Sequence, residues 1–170
     1  MKNKVLEKKN YIFMALITVA VVVLTFYISS WYKIIKKNRE NTSVVEEVVT
    51  KIDASSLSSY LLDNPNALIY IASSNDPDIK DFESSLKKYI VNEELTSTMI
   101  YLDTKDMTQD DINKIFLPYV SSTIKLKNIV TANILYFEDR EIVDAIYTKN
   151  SVAKINDVKT FLEGNSIVND

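Results

Sequence analysis

Residues 11–32, YIFMALITVAVVVLTFYISSWY, contain no charged side chain over 22 positions. A helix rises about 1.5 Å per residue, so this stretch is about 33 Å long, close to the roughly 30 Å hydrocarbon core of a bilayer. Aromatic residues stand at both ends, with Tyr11 and Phe13 before and Trp31 and Tyr32 after. Such residues favour the two membrane interfaces. The stretch therefore predicts one transmembrane helix in contact with the lipid bilayer.

We expect this helix to be retained as an anchor. A cleavable signal peptide has a shorter apolar region that ends at a site with small residues, and no convincing site of this kind follows. Lipoprotein processing needs a cysteine, and the chain has none. Basic residues flank both ends, but a short basic tail, here residues 1–10, usually stays in the cytoplasm. The prediction is a single-pass protein of the cell membrane with an extracytoplasmic C-terminal domain.

The residues that follow the span are acidic. The chain has 20 basic and 23 acidic residues; 8 basic residues and 1 acidic residue precede position 40, which leaves 12 basic and 22 acidic residues from position 40 onward. Nucleic-acid binding needs clustered Lys and Arg to neutralise phosphates, so we expect no nucleic-acid partner. The absence of Cys and His excludes disulfides, thiol catalysis, Ser-His-Asp triads and histidine bases. A single glycine also excludes a glycine-rich phosphate loop.

The pattern of residues 42–61 predicts a helix that leads from the membrane into the domain and is interrupted near the serine cluster at 55–59. Val45, Val48, Val49 and Ile52 recur at helical spacing, and Ser43 followed by Glu46 has the form of a capping box. We therefore assign residues 33–59 to a juxtamembrane linker or helix.

Beyond residue 60 the pattern alternates between strands and helices. Two continuous apolar runs, 67–73 and 98–103, predict buried strands. A helical pattern runs from Pro77 to about Leu95, and a second begins at the capping box of Thr108 and Asp111. Residues 133–147 predict a hairpin that turns at Glu138–Glu141. A closing helix is predicted from an Asn156 cap to Gly164, with that glycine as a left-handed C-cap.

This order of elements, and several local sequences, resemble the thioredoxin family over about residues 60–165. DPDI, residues 76–79, stands where many relatives have Cys-Pro-Asp-Cys, so Asp76 and Ile79 occupy the cysteine positions. The strand that ends at Asp103 is similar to the family's second central strand, and Ala132 stands at its cis-proline. The resemblance implies an α/β fold over residues 60–170, a thioredoxin-like mixed sheet with flanking helices.

The departures from the family exclude its redox activity. Thiol–disulfide exchange needs an attacking thiolate and a resolving thiol, and this chain has neither. A cis peptide is also not expected at position 132, because that form costs about 2.5–4 kcal/mol without proline. The resemblance still implies a peptide-binding groove, and we expect a non-enzymatic module without cofactors that binds an unidentified protein. Its candidate binding residues are Ser74, Asn75, Asp76, Pro77, Asp78, Ile79, Thr131, Ala132 and Asn133.

Two alternatives remain open. The carboxylates of Asp76, Asp78 and Asp103 are of the type that binds a divalent cation or acts as acid and base. The same residues also make a favourable helix start, because Asp caps a helix, Pro suits its first position and a further acid suits the dipole. Residues 103–111 are acidic but lack the Gly and Glu of an EF-hand. In the other alternative, the anchor helix itself is the contact with a membrane complex.

Overall fold

The chain forms two compact units, Met1–Arg39 and Glu40–Asp170. The computed structural model describes residues 8–122, 124, 129, 133–146 and 153–168. In the first unit, helix α1 (Lys8–Glu40) contains one stretch, Asn10–Lys37, that is long and apolar enough to cross a membrane.

Apolar side chains on α1 are exposed along its whole length. Phe26 and Tyr27, for example, have exposed fractions of 73% and 70%. A continuous apolar surface of this size is unfavourable in water and marks a membrane or protein contact. The predicted span, residues 11–32, lies entirely within the apolar stretch.

The second unit contains a mixed five-stranded sheet. Its strands are β1 (Thr50–Ile52), β2 (Ala67–Ala72), β3 (Met99–Asp103), β4 (Asn133–Glu138) and β5 (Glu141–Ala145). Their order in the sheet is β1-β3-β2-β4-β5. Strands β1 and β2 are parallel to β3, whereas β4 is antiparallel to both β2 and β5. Every residue of the central strand β2 is buried, as its continuous apolar run predicts.

Helices cover both faces of the sheet. They are α2 (Leu57–Asp63), α3 (Lys80–Asn92), α4 (Gln109–Phe116) and α5 (Ile155–Gly164). Helices α3 and α5 share one apolar core with the side of β2 that carries Tyr70. Helices α2 and α4 share the other core, on the side that carries Ile71. The predicted α/β class, a mixed sheet with flanking helices, is confirmed.

The predicted helix over residues 42–61 is wrong. The segment contains a short 3₁₀ turn at Val45–Glu47, then strand β1, and a helix only from Leu57. The β-branched Thr50 and Ile52 favour a strand, and pairing with β3 supplies the hydrogen bonds that a helix would have made internally. Part of the segment assigned to a juxtamembrane linker, residues 33–59, therefore lies in the sheet.

Two predictions from local sequence signals, the capping box of α4 and the turn of the hairpin, are confirmed. Asp111 and Thr108 form the predicted capping box, with the Thr108 amide 3.1 Å from the Asp111 carboxylate. The hairpin turns at Asp139 and Arg140, which have φ angles of 49° and 69°. Two successive positive φ angles are typical of the tight type I′ turn between antiparallel strands. The end of the predicted hairpin, Tyr147, lies outside the described residues.

The closing helix is confirmed and ends at Gly164 as predicted, but both of its predicted caps are wrong. Helix α5 begins before Asn156, and its first turn is capped instead by Asp157, whose carboxylate accepts the Lys154 amide at 2.9 Å. Gly164 is the last helical residue and has no positive φ. The left-handed residue is Ser166, with φ 56°.

Ser166 occupies the left-handed position of a Schellman motif. The Ile167 amide donates to the Leu162 carbonyl at 2.9 Å, and the Ser166 amide donates to the Glu163 carbonyl at 3.0 Å. These two bonds satisfy carbonyls at the helix end. The chain therefore places its one glycine two residues before the position that would benefit from it.

We expect Ser166→Gly to raise the free energy of unfolding by about 1 kcal/mol, because only glycine adopts left-handed backbone angles without a steric cost. Urea unfolding of the detergent-solubilised chain, followed by circular dichroism, measures this change. Ser166→Ala is the matched control, since it keeps a Cβ atom and should give no gain. Equal stability of the glycine and alanine variants would contradict the assigned helix end.

Candidate functional site

Residues 73–79, the site loop, join the end of β2 to the start of α3. Asp76 caps the first turn, since its Oδ1 atom accepts the Asp78 amide at 2.9 Å, and Pro77 is the first residue of that turn. Ser73 Oγ donates to Asn75 Oδ1 at 2.6 Å. The prediction that Asp76, Pro77 and Asp78 form a helix start is confirmed.

The candidate binding residues divide into an exposed and a buried group. Asn75, Pro77 and Asp78 are exposed and Asp76 is half-buried, so a partner can reach residues 75–78 directly. Ser74, Ile79 and Asn133 are buried, with exposed fractions of 0%, 1% and 3%. Asn133 begins β4 and pairs with Ile71 of β2. Thr131 and Ala132, and with them the expected trans peptide at position 132, lie outside the described residues.

Asp103 holds the site loop from the end of the neighbouring strand β3. Its Oδ1 atom accepts the amides of Ser74 at 3.0 Å and Lys105 at 3.1 Å. Its Oδ2 atom lies 3.1 Å from Lys51 Nζ on β1. Burial by itself raises the pKa of the Asp103 carboxyl, but the hydrogen bonds from Ser74, Lys51 and Lys105 outweigh burial and hold that pKa below its ordinary value.

The hydrogen bonds of Asp103 are relevant to the alternative in which Asp76, Asp78 and Asp103 bind a cation or act as acid and base. Both of its oxygens already accept hydrogen bonds, and an oxygen of Asp76 caps the helix start. Within the described part of the chain, no group of three or more Asp, Glu, His or Cys side chains lies close enough to hold a metal ion. These carboxylates hold backbone groups in place.

A second carboxylate, Glu83, lies fully buried on α3 and contacts two other segments of the chain and Lys80 of its own helix. Ser43 Oγ donates to its Oε1 atom at 2.6 Å and the Val44 amide donates to its Oε2 atom at 2.8 Å. Tyr70 on β2 donates its hydroxyl at 3.3 Å, and Lys80 Nζ lies at 3.8 Å. Ser43 therefore bonds to Glu83, and the predicted capping box of Ser43 with Glu46 is wrong.

Lys80 connects the surroundings of Glu83 to the site loop. Its ammonium donates to the Ser74 carbonyl at 2.7 Å and to the Thr42 carbonyl at 2.8 Å. One side chain therefore joins the start of the site loop to residues 42–49, which we call the strap. The strap is the first segment of the second compact unit.

Two stacked tyrosines, Tyr70 and Tyr101, lie near the carboxylates of Glu83 and Asp103. The rings of Tyr70 and Tyr101 lie 5.7 Å apart between centroids, and the Tyr101 hydroxyl donates to the Ala72 carbonyl at 3.2 Å. Burial and the Glu83 carboxylate raise the pKa of the Tyr70 hydroxyl well above the ordinary tyrosine value. Burial, with the carboxylates of Asp103 and Glu83, does the same to the pKa of the Tyr101 hydroxyl. Both tyrosines therefore act as neutral hydrogen-bond donors.

Buried polar atoms that have no hydrogen-bond partner among the described residues lie at this edge of the sheet. Ser74 Oγ, Thr104 Oγ1 and Asn133 Oδ1 are the buried side-chain atoms without a hydrogen-bond partner among the described residues. They lie where β2 and β3 end and β4 begins. A buried polar group left unpaired costs about 1–3 kcal/mol, so such atoms are uncommon.

The sequence contains one signal for the contacts that were not predicted. Glu83 lies on the apolar stripe of α3, in line with Ile79, Leu86 and Ile90, where a charge is unexpected. A charge on such a stripe indicates buried partners, but it does not identify Ser43, 40 residues earlier. That pairing depends on the path of the strap.

Comparison with protein-family models and with curated protein sequences finds no match for this chain. The function therefore has to be argued from the site. The geometry supplies an exposed polar turn, residues 75–78, fixed at the carboxyl ends of two parallel strands. Ligands of α/β sheets bind at this end. The arrangement is suited to binding through hydrogen bonds.

We expect Glu83→Ala to lower the free energy of unfolding by about 3–5 kcal/mol, because it leaves buried donors without an acceptor. Glu83→Gln should cost less, about 1–2 kcal/mol, since its amide oxygen still accepts one hydrogen bond. Urea unfolding measures both values. Glu94→Ala, at an exposed position, is the control. A loss below 1 kcal/mol for Glu83→Ala would contradict the described contacts.

The Asp103 carboxylate predicts a specific dependence of stability on pH. Its pKa is lowered in the folded state, so its contribution is complete above the unfolded-state pKa of about 3.9 and is lost as pH falls through the folded-state pKa. We expect Asp103→Asn to be about 2 kcal/mol less stable than the parent at pH 7.

That stability difference should shrink on acidification below about pH 4, where the parent carboxylate becomes protonated. Urea unfolding between pH 7 and pH 2.5 measures it. Asp106→Asn, in the exposed part of the following loop, is the control. A difference between Asp103→Asn and the parent that stays constant over this range would contradict the role of the charge.

Proposed function

We propose that this protein is a membrane-tethered, thioredoxin-like binding module without thiol chemistry. It recognises a protein partner at the extracytoplasmic face through the exposed residues 75–78 of the site loop. The observation that carries the proposal is the position of this turn, which is exposed yet held by Asp103 and Lys80 at the carboxyl end of the sheet.

The fold part of the proposal is supported by the order of elements. Strand β2, helix α3, strand β3 and helix α4 are followed by the hairpin β4–β5 and a closing helix, which is the order that the resemblance implies. Helices lie on both faces of a mixed sheet. The chain has no cysteine, so the module cannot exchange disulfides.

The chemistry of the exposed turn favours a partner that offers hydrogen-bond donors. Asp76 and Asp78 are both acceptors, and the chain from residue 40 onward carries ten more acidic than basic residues. Main-chain amides and the side chains of Lys and Arg are suitable donors. An acidic partner would be repelled.

Helix α1 supports a tether, and it also supports the second candidate function. Its exposed apolar side chains can contact lipid or another transmembrane helix. In that case the protein would be a structural subunit that binds its complex through the anchor. Contacts made by α1 and contacts made by residues 75–78 are separable by experiment.

Because the chain has no cysteine, Asp78→Cys introduces a unique thiol at the exposed turn. A membrane-impermeant, thiol-reactive photocrosslinker added to intact cells should label this variant and, after illumination, give one discrete protein adduct. Lys88→Cys, exposed on α3, is the matched control and should be labelled without forming that adduct.

Three results would contradict the proposal. Absence of labelling at both positions would show that the domain lies on the cytoplasmic side. Equal adducts from both positions would show that the partner does not bind specifically at residues 75–78. Loss of the adduct when residues 11–32 are replaced by an unrelated span would favour α1 as the contact. We expect the adduct to survive that replacement.

A further inference from the structure

The strap is packed into the domain, and several of its side chains are buried. Ser43, Val45 and Val49 have exposed fractions of 1%, 0% and 6%. An ion pair between Lys87 and Glu47 adds a contact with α3 at the surface. The strap is therefore a packed segment with specific partners.

One network joins the strap to the site loop. Glu83 accepts hydrogen bonds from Ser43 and Val44 of the strap. Lys80, one helical turn earlier, lies 3.8 Å from Glu83. The same ammonium donates to Thr42 of the strap and to Ser74 of the site loop. The two segments therefore share two buried or half-buried ionic side chains.

The burial of Glu83 makes this network cooperative. A carboxylate that loses its donors in a water-excluded site is strongly unfavourable. Removal of the strap would take away two of its hydrogen-bond donors. Lys80 would lose its Thr42 acceptor in the same event and would be free to follow Glu83, which weakens its hold on Ser74. The strap and the start of the site loop are thus stable together.

We propose that the strap regulates the site loop: the loop is ordered while the strap is docked and loosens when the strap is displaced. As a control of partner binding, this inference rests on the proposed function. The coupling between the two segments does not require any partner. The strap begins three residues after Arg39, where the N-terminal unit ends.

Hydrogen exchange of the full chain in detergent micelles tests the coupling. Ser43→Ala removes one hydrogen bond to Glu83 and does not alter any residue of the site loop. We expect the amides of residues 74–76 and 78–80 to exchange at least fivefold faster in this variant, at the lower end of typical coupling between sites. Lys80→Met should accelerate both the strap and the loop.

Two control variants make the result specific. Lys87→Met breaks the ion pair with Glu47 of the strap but keeps the contacts of Glu83, so exchange in the loop should stay unchanged. Thr108→Ala weakens the cap of α4 and should accelerate only the start of that helix. Acceleration confined to residues 42–49 in Ser43→Ala, or equal acceleration of the loop in Thr108→Ala, would overturn the proposal.

The adduct formed by Asp78→Cys separates this inference from the proposed function. In the Ser43→Ala background the adduct should decrease if the coupling controls binding. Faster loop exchange in a protein that never forms an adduct would sustain the coupling and refute the binding function. An adduct, together with loop exchange that Ser43→Ala leaves unchanged, would refute the coupling and sustain the binding function.

Discussion

The hydrogen bonds to the Glu83 carboxylate are the interactions on which the rest of this domain depends. Burial of a carboxylate costs several kcal/mol unless donors surround it. Here the donors come from distant parts of the chain: Ser43 and Val44 in the strap and Tyr70 in the central strand. The strap, the sheet and α3 are therefore stable in one mutual arrangement, and β1 follows from it because the strap leads directly into that strand.

The carboxylates of Asp103 and Glu83 both hold the start of the site loop. Asp103 binds the Ser74 amide directly, whereas Glu83 acts through Lys80, which binds the Ser74 carbonyl. Both amide and carbonyl of one residue are thus fixed by ionised side chains. This geometry positions a backbone, and it leaves the side chains of residues 75–78 available for contact.

The sequence predicts the parts of this structure that depend on neighbouring residues. Asp76 and Pro77 start a helix by local hydrogen bonding and fixed backbone angles, and the apolar run of β2 indicates burial on both faces. For the strap and β1 the local pattern predicts a helix, which is wrong because their partners lie 38 or more residues away. The left-handed angle of Ser166 is not predicted by the sequence, because it falls on a serine two residues after the one glycine.

Amide exchange at Val44, followed by NMR on the full chain, tests most directly whether the strap belongs to the domain. The Val44 amide donates to a carboxylate oxygen of Glu83 at 2.8 Å. We predict that it exchanges far more slowly than the amides of an exposed segment, because it can open only when the strap leaves Glu83. Exchange at the rate of a solvent-exposed linker would contradict this account.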